Sequence, residues 1–171
     1  MRYLLLACAA AFIIVSCNKE QTVEVPLTLT QMLYGNNKTN ASPDMPTKWK
    51  TKEYKVIITL DDGRDSIVLD AYPECKKDDF LQFFENFSGK HNTSDNKCAI
   101  NDGDIYDYRW EFSNNNDTLN FYNCDRLFPY RTFRARAENV SESSFMLKYR
   151  EPFVVHNVLD TVRIEHTFEK F

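Results

Sequence analysis

The side chains best suited to chemistry in this 171-residue sequence are five cysteines, three histidines and a few neighbouring acids. No Cys-x-x-Cys occurs, and His91, His156 and His166 stand too far apart for a helical metal pair, so each is read as a surface or strand residue and no metal site is expected. Asn101-Asp102-Gly103-Asp104 with Asp107 offers oxygen ligands beside a glycine, but the spacing does not fit a twelve-residue calcium loop and reads as a turn. Asp61-Asp62 and Asp78-Asp79 could be imagined as the carboxylate pair of a glycoside hydrolase. Adjacent residues of a strand point to opposite faces, however, so turn and hairpin-entry roles fit them better. No serine sits in a nucleophile elbow and no glycine-rich phosphate loop exists among only four glycines. The expectation is a non-enzyme with no catalytic residue and no cofactor. Arg126, Arg131, Arg134 and Arg136 form the one basic concentration, with Arg134 and Arg136 on one strand face, and they read as a solvated face. A net charge of −4 argues against a nucleic-acid partner, whose binding needs phosphate neutralisation.

These residues belong to a chain with a separate address at its start. Of the first 16 residues 14 are apolar, with Arg2 in front, and the run Tyr3 to Val15 is shorter than the roughly 20 residues that span a bilayer as a helix. Residues 1–16 therefore read as a signal peptide. Its end, Ile14-Val15-Ser16-Cys17, resembles the bacterial lipobox, which implies cleavage after Ser16 and lipidation of Cys17, with acyl chains such as palmitate. Two or three buried chains hold a protein on a membrane where one would be marginal. Asn18 is not the aspartate that retains such lipoproteins at an inner membrane, and Lys19-Glu20 resembles a short signal for surface export. The expected location is the outer membrane of the cell envelope, with surface exposure in view. Residues 17–46 are polar, hold Pro26, Pro43 and Pro46, and read as a flexible lipidated tether with a short helix near Leu27 to Tyr34.

From Trp49 onward the pattern is that of antiparallel sheet. In Tyr54-Lys55-Val56-Ile57-Ile58-Thr59-Leu60 apolar residues fall at every second position, and Asp61-Asp62-Gly63-Arg64 follows as a hairpin turn. Further strands are expected at Ser66 to Tyr72, Phe80 to Phe84, Lys90 to Thr93, Ile105 to Phe112, Thr118 to Tyr122, Tyr130 to Ala137, Phe145 to Arg150 and Thr161 to Phe168. Tyr106, Tyr108, Trp110 and Phe112 share one face while Asp107, Arg109 and Glu111 share the other, which marks a strand with one wet side. Turns lean on Asn and Asp, as in Asn114-Asn115-Asn116-Asp117. Nine short strands without an amphipathic helix between them predict an all-β, up-and-down antiparallel barrel of 8–9 strands over residues 47–171, closed so as to hide its edges.

Once Cys8 leaves with the signal and Cys17 is lipidated, Cys75, Cys98 and Cys124 remain, and three pairings are open. Cys75 and Cys98 are symmetric about the turn at Glu85 to Gly89, so a hairpin would bring them together; the midpoint of Cys98 and Cys124 falls on Glu111, inside an expected strand. Cys75–Cys98 is therefore expected, leaving Cys124 odd, as a buried inert thiol or a reactive one. Trp49, the run Cys75-Lys76-Lys77-Asp78-Asp79-Phe80-Leu81-Gln82-Phe83, Gly89, Cys98, Trp110 with Phe112, and Phe145-Met146-Leu147-Lys148-Tyr149 together resemble the lipocalin-like lipoproteins of Gram-negative bacteria. That resemblance, over 47–171, implies a calycin-type barrel with the cysteine pair fastening one hairpin, in a family mostly of unassigned function. Trp49 departs from the lipocalin signature in lacking the glycine two residues before it.

Two functions follow as expectations. In the first, the barrel binds a small apolar or amphipathic ligand, lined by Tyr54, Val56, Ile58, Leu69, Phe83, Tyr108, Trp110, Phe133, Leu147 and Ile164. In the second, the same residues form a solid core, and outer faces or loops meet an envelope protein or glycan. Asp65-Ser66-Ile67, Asp117-Thr118-Leu119 and Asp160-Thr161-Val162 each resemble a bacterial O-glycosylation acceptor at a turn-to-strand boundary, making Ser66, Thr118 and Thr161 candidate glycan sites.

Overall fold

The computed structural model describes residues 27–35, 47–69, 72–99, 103–113, 117–128, 130–155 and 158–171. Cys17, His156, Asn101-Asp102 and Asn114 to Asn116 lie outside these. A short helix, α1 (Leu29–Tyr34), precedes nine strands: β1 (Trp49–Thr59), β2 (Asp65–Leu69), β3 (Phe80–Phe83), β4 (Ser88–Asn92), β5 (Ile105–Phe112), β6 (Thr118–Tyr122), β7 (Thr132–Glu138), β8 (Ser144–Val155) and β9 (Val158–Lys170). All pairings are antiparallel, and β1 pairs with β9, so the sheet closes into the expected barrel.

Closure is not a plain meander. One edge of β1 runs beside β9, whereas its other edge is shared: Trp49 and Lys50 pair with β3, and Lys55 to Thr59 pair with β2. The ring is thus β1 and β3 to β9, eight strands, with β2 as an extra strand on the far half of β1. The β8–β9 hairpin also runs past the expected Arg150, to Val155 and Val158. Beyond Lys148, β8 has only β9 beside it among the described residues, and an edge of this kind is where a strand proline such as Pro152 is tolerated. Thr161 consequently lies inside β9, opposite Pro152, and not at a strand boundary. Ser66 is the second residue of β2, and Thr118 opens β6 as expected.

One end of the barrel is sealed. Thr28 caps α1 by accepting from the Gln31 backbone N–H at 3.2 Å, and the Gln31 side chain accepts in return from the Thr28 N–H at 2.8 Å. The helix buries Leu33, and the Leu33 carbonyl accepts from Trp49 Nε1 at 2.8 Å. Part of the segment assigned to the tether is therefore packed against the barrel. Gly35, at φ 55°, leaves no room for a Cβ beside Thr47, so the chain turns away at the one residue type that fits.

The interior above this seal is aromatic. Phe83 meets Trp110 at 5.1 Å between ring centroids, Tyr108 and Phe145 at 5.9 Å and Phe121 at 6.2 Å, mostly edge to face. Trp49 meets Phe145 at 5.0 Å, and Phe145 stacks on Phe168 at 4.8 Å. Tyr108 lies across Gly89 of β4, where a Cβ would overlap its ring, and its hydroxyl donates to the Gln82 carbonyl at 2.9 Å. Gly89→Ala is expected to destabilise the fold by about 1–3 kcal/mol, the usual cost of overpacking. A denaturant melt with an unchanged midpoint would refute that close approach.

Candidate functional site

The other end of the barrel is where the long connections gather. The 3-10 turn Glu74–Lys76, the β4–β5 connection and the β6–β7 connection all stand there. Cys75 and Cys98 are joined, with Cα atoms 5.0 Å apart, so the chain before β3 and the chain after β4 are fastened on one side of the opening. Closing a loop of this length contributes about 3 kcal/mol in the chain-entropy picture. Cys124 is free and buried, accepting no partner thiol.

Between these connections lies a recess of about 350 Å³. Tyr54, Tyr72, Phe128 and Tyr149 wall it, His166 lies at its base, and Lys76, Arg126, Asp125 and Glu151 stand around it. Tyr54 donates to Glu151 Oε1 at 2.6 Å. Burial, and then the Glu151 carboxylate, raise the Tyr54 pKa; burial also raises Tyr149 and pushes Tyr72 up to about 12. All three stay neutral phenols at physiological pH. His166 sits 5.0 Å, ring to ring, from both Tyr54 and Tyr72, stacks on Phe168 at 4.0 Å, and holds Thr51 Oγ1 at 2.8 Å through Nε2. Its Nδ1 is buried with no hydrogen-bond partner.

A second recess, of about 240 Å³, adjoins the first and shares Lys76, Asp125 and Arg126 with it. Here His91 Nε2 meets Asp79 Oδ2 at 2.9 Å in a pair that is almost wholly buried, while Asp79 Oδ1 accepts from the Ser94 backbone N–H at 3.3 Å. His91 Nδ1 is a second buried nitrogen with no partner. The Arg126 guanidinium lies 5.6 Å from the Tyr106 ring.

The residues expected to line a ligand cavity divide sharply. Tyr54 alone reaches the 350 Å³ recess. Val56, Phe83, Tyr108, Trp110, Phe133, Leu147 and Ile164 are buried against one another in the core, and Ile58 packs partly buried against them. Leu69 belongs to β2, its side chain outside those described. The interior was expected as lining because alternation marks an inward side chain without saying whether another side chain already occupies the space. His91 and His166 were read as surface or strand residues; both are strand residues, and each is only 2% exposed. Asp79 is not a simple hairpin-entry residue, since it holds His91. Arg134 and Arg136 do stay on an exposed outer face, with Arg136 3.5 Å from Glu138.

Tyr149 and His166 were missed although each shares the inward parity of its neighbours Leu147 and Ile164, so extending the alternation by one step would have found them. Tyr72 was expected to end the strand from Ser66, but β2 stops at Leu69 and Tyr72 stands beyond it; Phe128 stands in a connection, where no periodicity reaches. A comparison of the sequence with protein-family models and with curated proteins finds no match.

Burial pushes the His166 pKa down to about 3, from an ordinary value near 6.5. Between those values the unfolded chain takes a proton that native His166 refuses, so stability falls as pH drops through this window and is unaffected by His166 below it. His166→Phe removes this dependence. The melting temperature of the native protein is expected to drop by several degrees relative to the variant between pH 7 and pH 4, and a constant difference would refute it. Burial also pushes the Cys124 thiol up to about 11. Iodoacetamide at pH 8, followed by peptide mapping, is expected to leave Cys124 unlabelled in the folded protein and to label it after unfolding.

Proposed function

We propose that this chain is an outer-membrane lipoprotein, anchored through Cys17, whose barrel mouth binds a small amphipathic molecule without turning it over. The observation that carries the reading is the 350 Å³ recess with tyrosine walls, which falls in the range of small-molecule sites and stands above a barrel otherwise filled by aromatic rings. The signal-like start and the lipobox resemblance support the setting. The position of α1 supports an orientation: the chain enters at the sealed end, so the mouth faces away from the anchor.

A second reading, a structural lipoprotein that meets an envelope partner, draws support from β2. Ile67 is 56% and Val68 42% exposed on a strand paired only with β1 among the described residues. Native mass spectrometry of the protein extracted from envelopes separates the two. The expected result is a mature N-terminus at acylated Cys17 plus a retained small molecule, released on unfolding. A mass accounted for by polypeptide and acyl chains alone, with no stabilisation by any member of a small-molecule panel, would favour the second reading.

A further inference from the structure

The mouth carries more hydrogen-bonding capacity than an apolar guest would use. Lys76, Asp125 and Arg126 line both recesses yet form no ion pair with a described residue. The groups around the mouth also carry both signs. A fatty acid would suit Arg126 and Lys76 but set its carboxylate against Asp125 and Glu151. A long acyl tail would also have no space below, because Phe121, Phe83 and Phe145 fill the barrel there.

We propose that the mouth is a saccharide site. This rests on the reading of the mouth as a ligand site and names its ligand class. A sugar ring presents an apolar C–H face, which fits the faces of Tyr54, Tyr72 and Tyr149, and an edge of hydroxyls, each of which donates and accepts at once. Hydroxyls therefore satisfy a guanidinium, an ammonium and a carboxylate together, which neither an anion nor a hydrocarbon does. The smaller recess repeats the arrangement, with the Tyr106 ring and the shared Lys76, Asp125 and Arg126. Two adjoining recesses with a shared polar wall accommodate two neighbouring sugar units.

The test uses the mature protein and six sugars: glucose, galactose, N-acetylglucosamine, cellobiose, lactose and chitobiose. Decanoate and 3-phenylpropionate serve as controls, with saturation-transfer NMR and calorimetry as readouts. At least one disaccharide is expected to bind at least fivefold more tightly than its constituent sugar, with transfer strongest to the C–H protons. Arg126→Ala, exposed and expected to fold, weakens that binding at least fivefold while leaving the melting temperature unchanged. Binding of a control but of none of the sugars would overturn the saccharide assignment and leave the mouth as a ligand site. Binding of no probe at all overturns both, and sugar binding indifferent to Arg126→Ala overturns the location.

Discussion

The ring packing around Phe83 is the constraint on which the rest of this molecule depends. Four aromatic side chains from β5, β6 and β8 converge on it within 6.2 Å, and each comes from a strand that could not hold its register without an inward partner. Because a one-residue slip would turn every one of these rings to solvent, the cluster sets the alignment of neighbouring strands. It also decides where function can be. A barrel of eight strands has an interior just wide enough for side chains, and with rings this large the sealed half has no room left. The recess walled by Tyr54, Tyr72, Phe128 and Tyr149 opens where the strands give way to connections, and polar groups are gathered there.

The rim of that opening is held by interactions of a different kind. The Cys75–Cys98 bond ties two connections that the sheet does not tie, and the buried Asp79–His91 pair joins the approach to β3 with β4 just beneath it. On the opposite wall, the Tyr54–Glu151 hydrogen bond links β1 to β8, which are not adjacent in the ring. The mouth is thus braced across strands by side chains, whereas the sealed half is braced by packing. The extra length of β8 and β9 on this side carries Glu151 beyond the height at which β7 ends its pairing.

Much of this architecture was legible in the sequence. The alternation in Tyr106 to Phe112 placed β5 and its inward rings, the symmetry of Cys75 and Cys98 about the β3–β4 turn anticipated their bond, and the scarcity of helical periodicity fixed the class. What could not be read has a common cause. Alternation reports which way a side chain points but not how much volume its opposite numbers occupy, so Phe83 and Trp110 looked like lining and are filling. The contribution of Tyr72, Lys76, Arg126 and Phe128 depends on how irregular connections fold back over a barrel end, which no local period encodes. The sharing of one β1 edge by β2 and β3 was hidden for a related reason: sequence order suggested a simple hairpin succession, while the strand is long enough to serve two short partners end to end.

The distribution of the two indoles has an optical consequence. Trp49 lies against α1 and Phe145, and Trp110 donates to the Ser88 carbonyl at 2.8 Å beside the β3–β4 turn, so both belong to the sealed half. The mouth, walled by Tyr54, Tyr72, Phe128 and Tyr149, holds no indole among the described residues. Emission excited at long wavelength therefore watches the integrity of the packed half, whereas tyrosines stand in both halves, Tyr34 and Tyr108 in the packed one and Tyr54, Tyr72 and Tyr149 at the opening. The indole signal thus reports one end of the barrel alone, and a change at the mouth that leaves it untouched is local to the mouth.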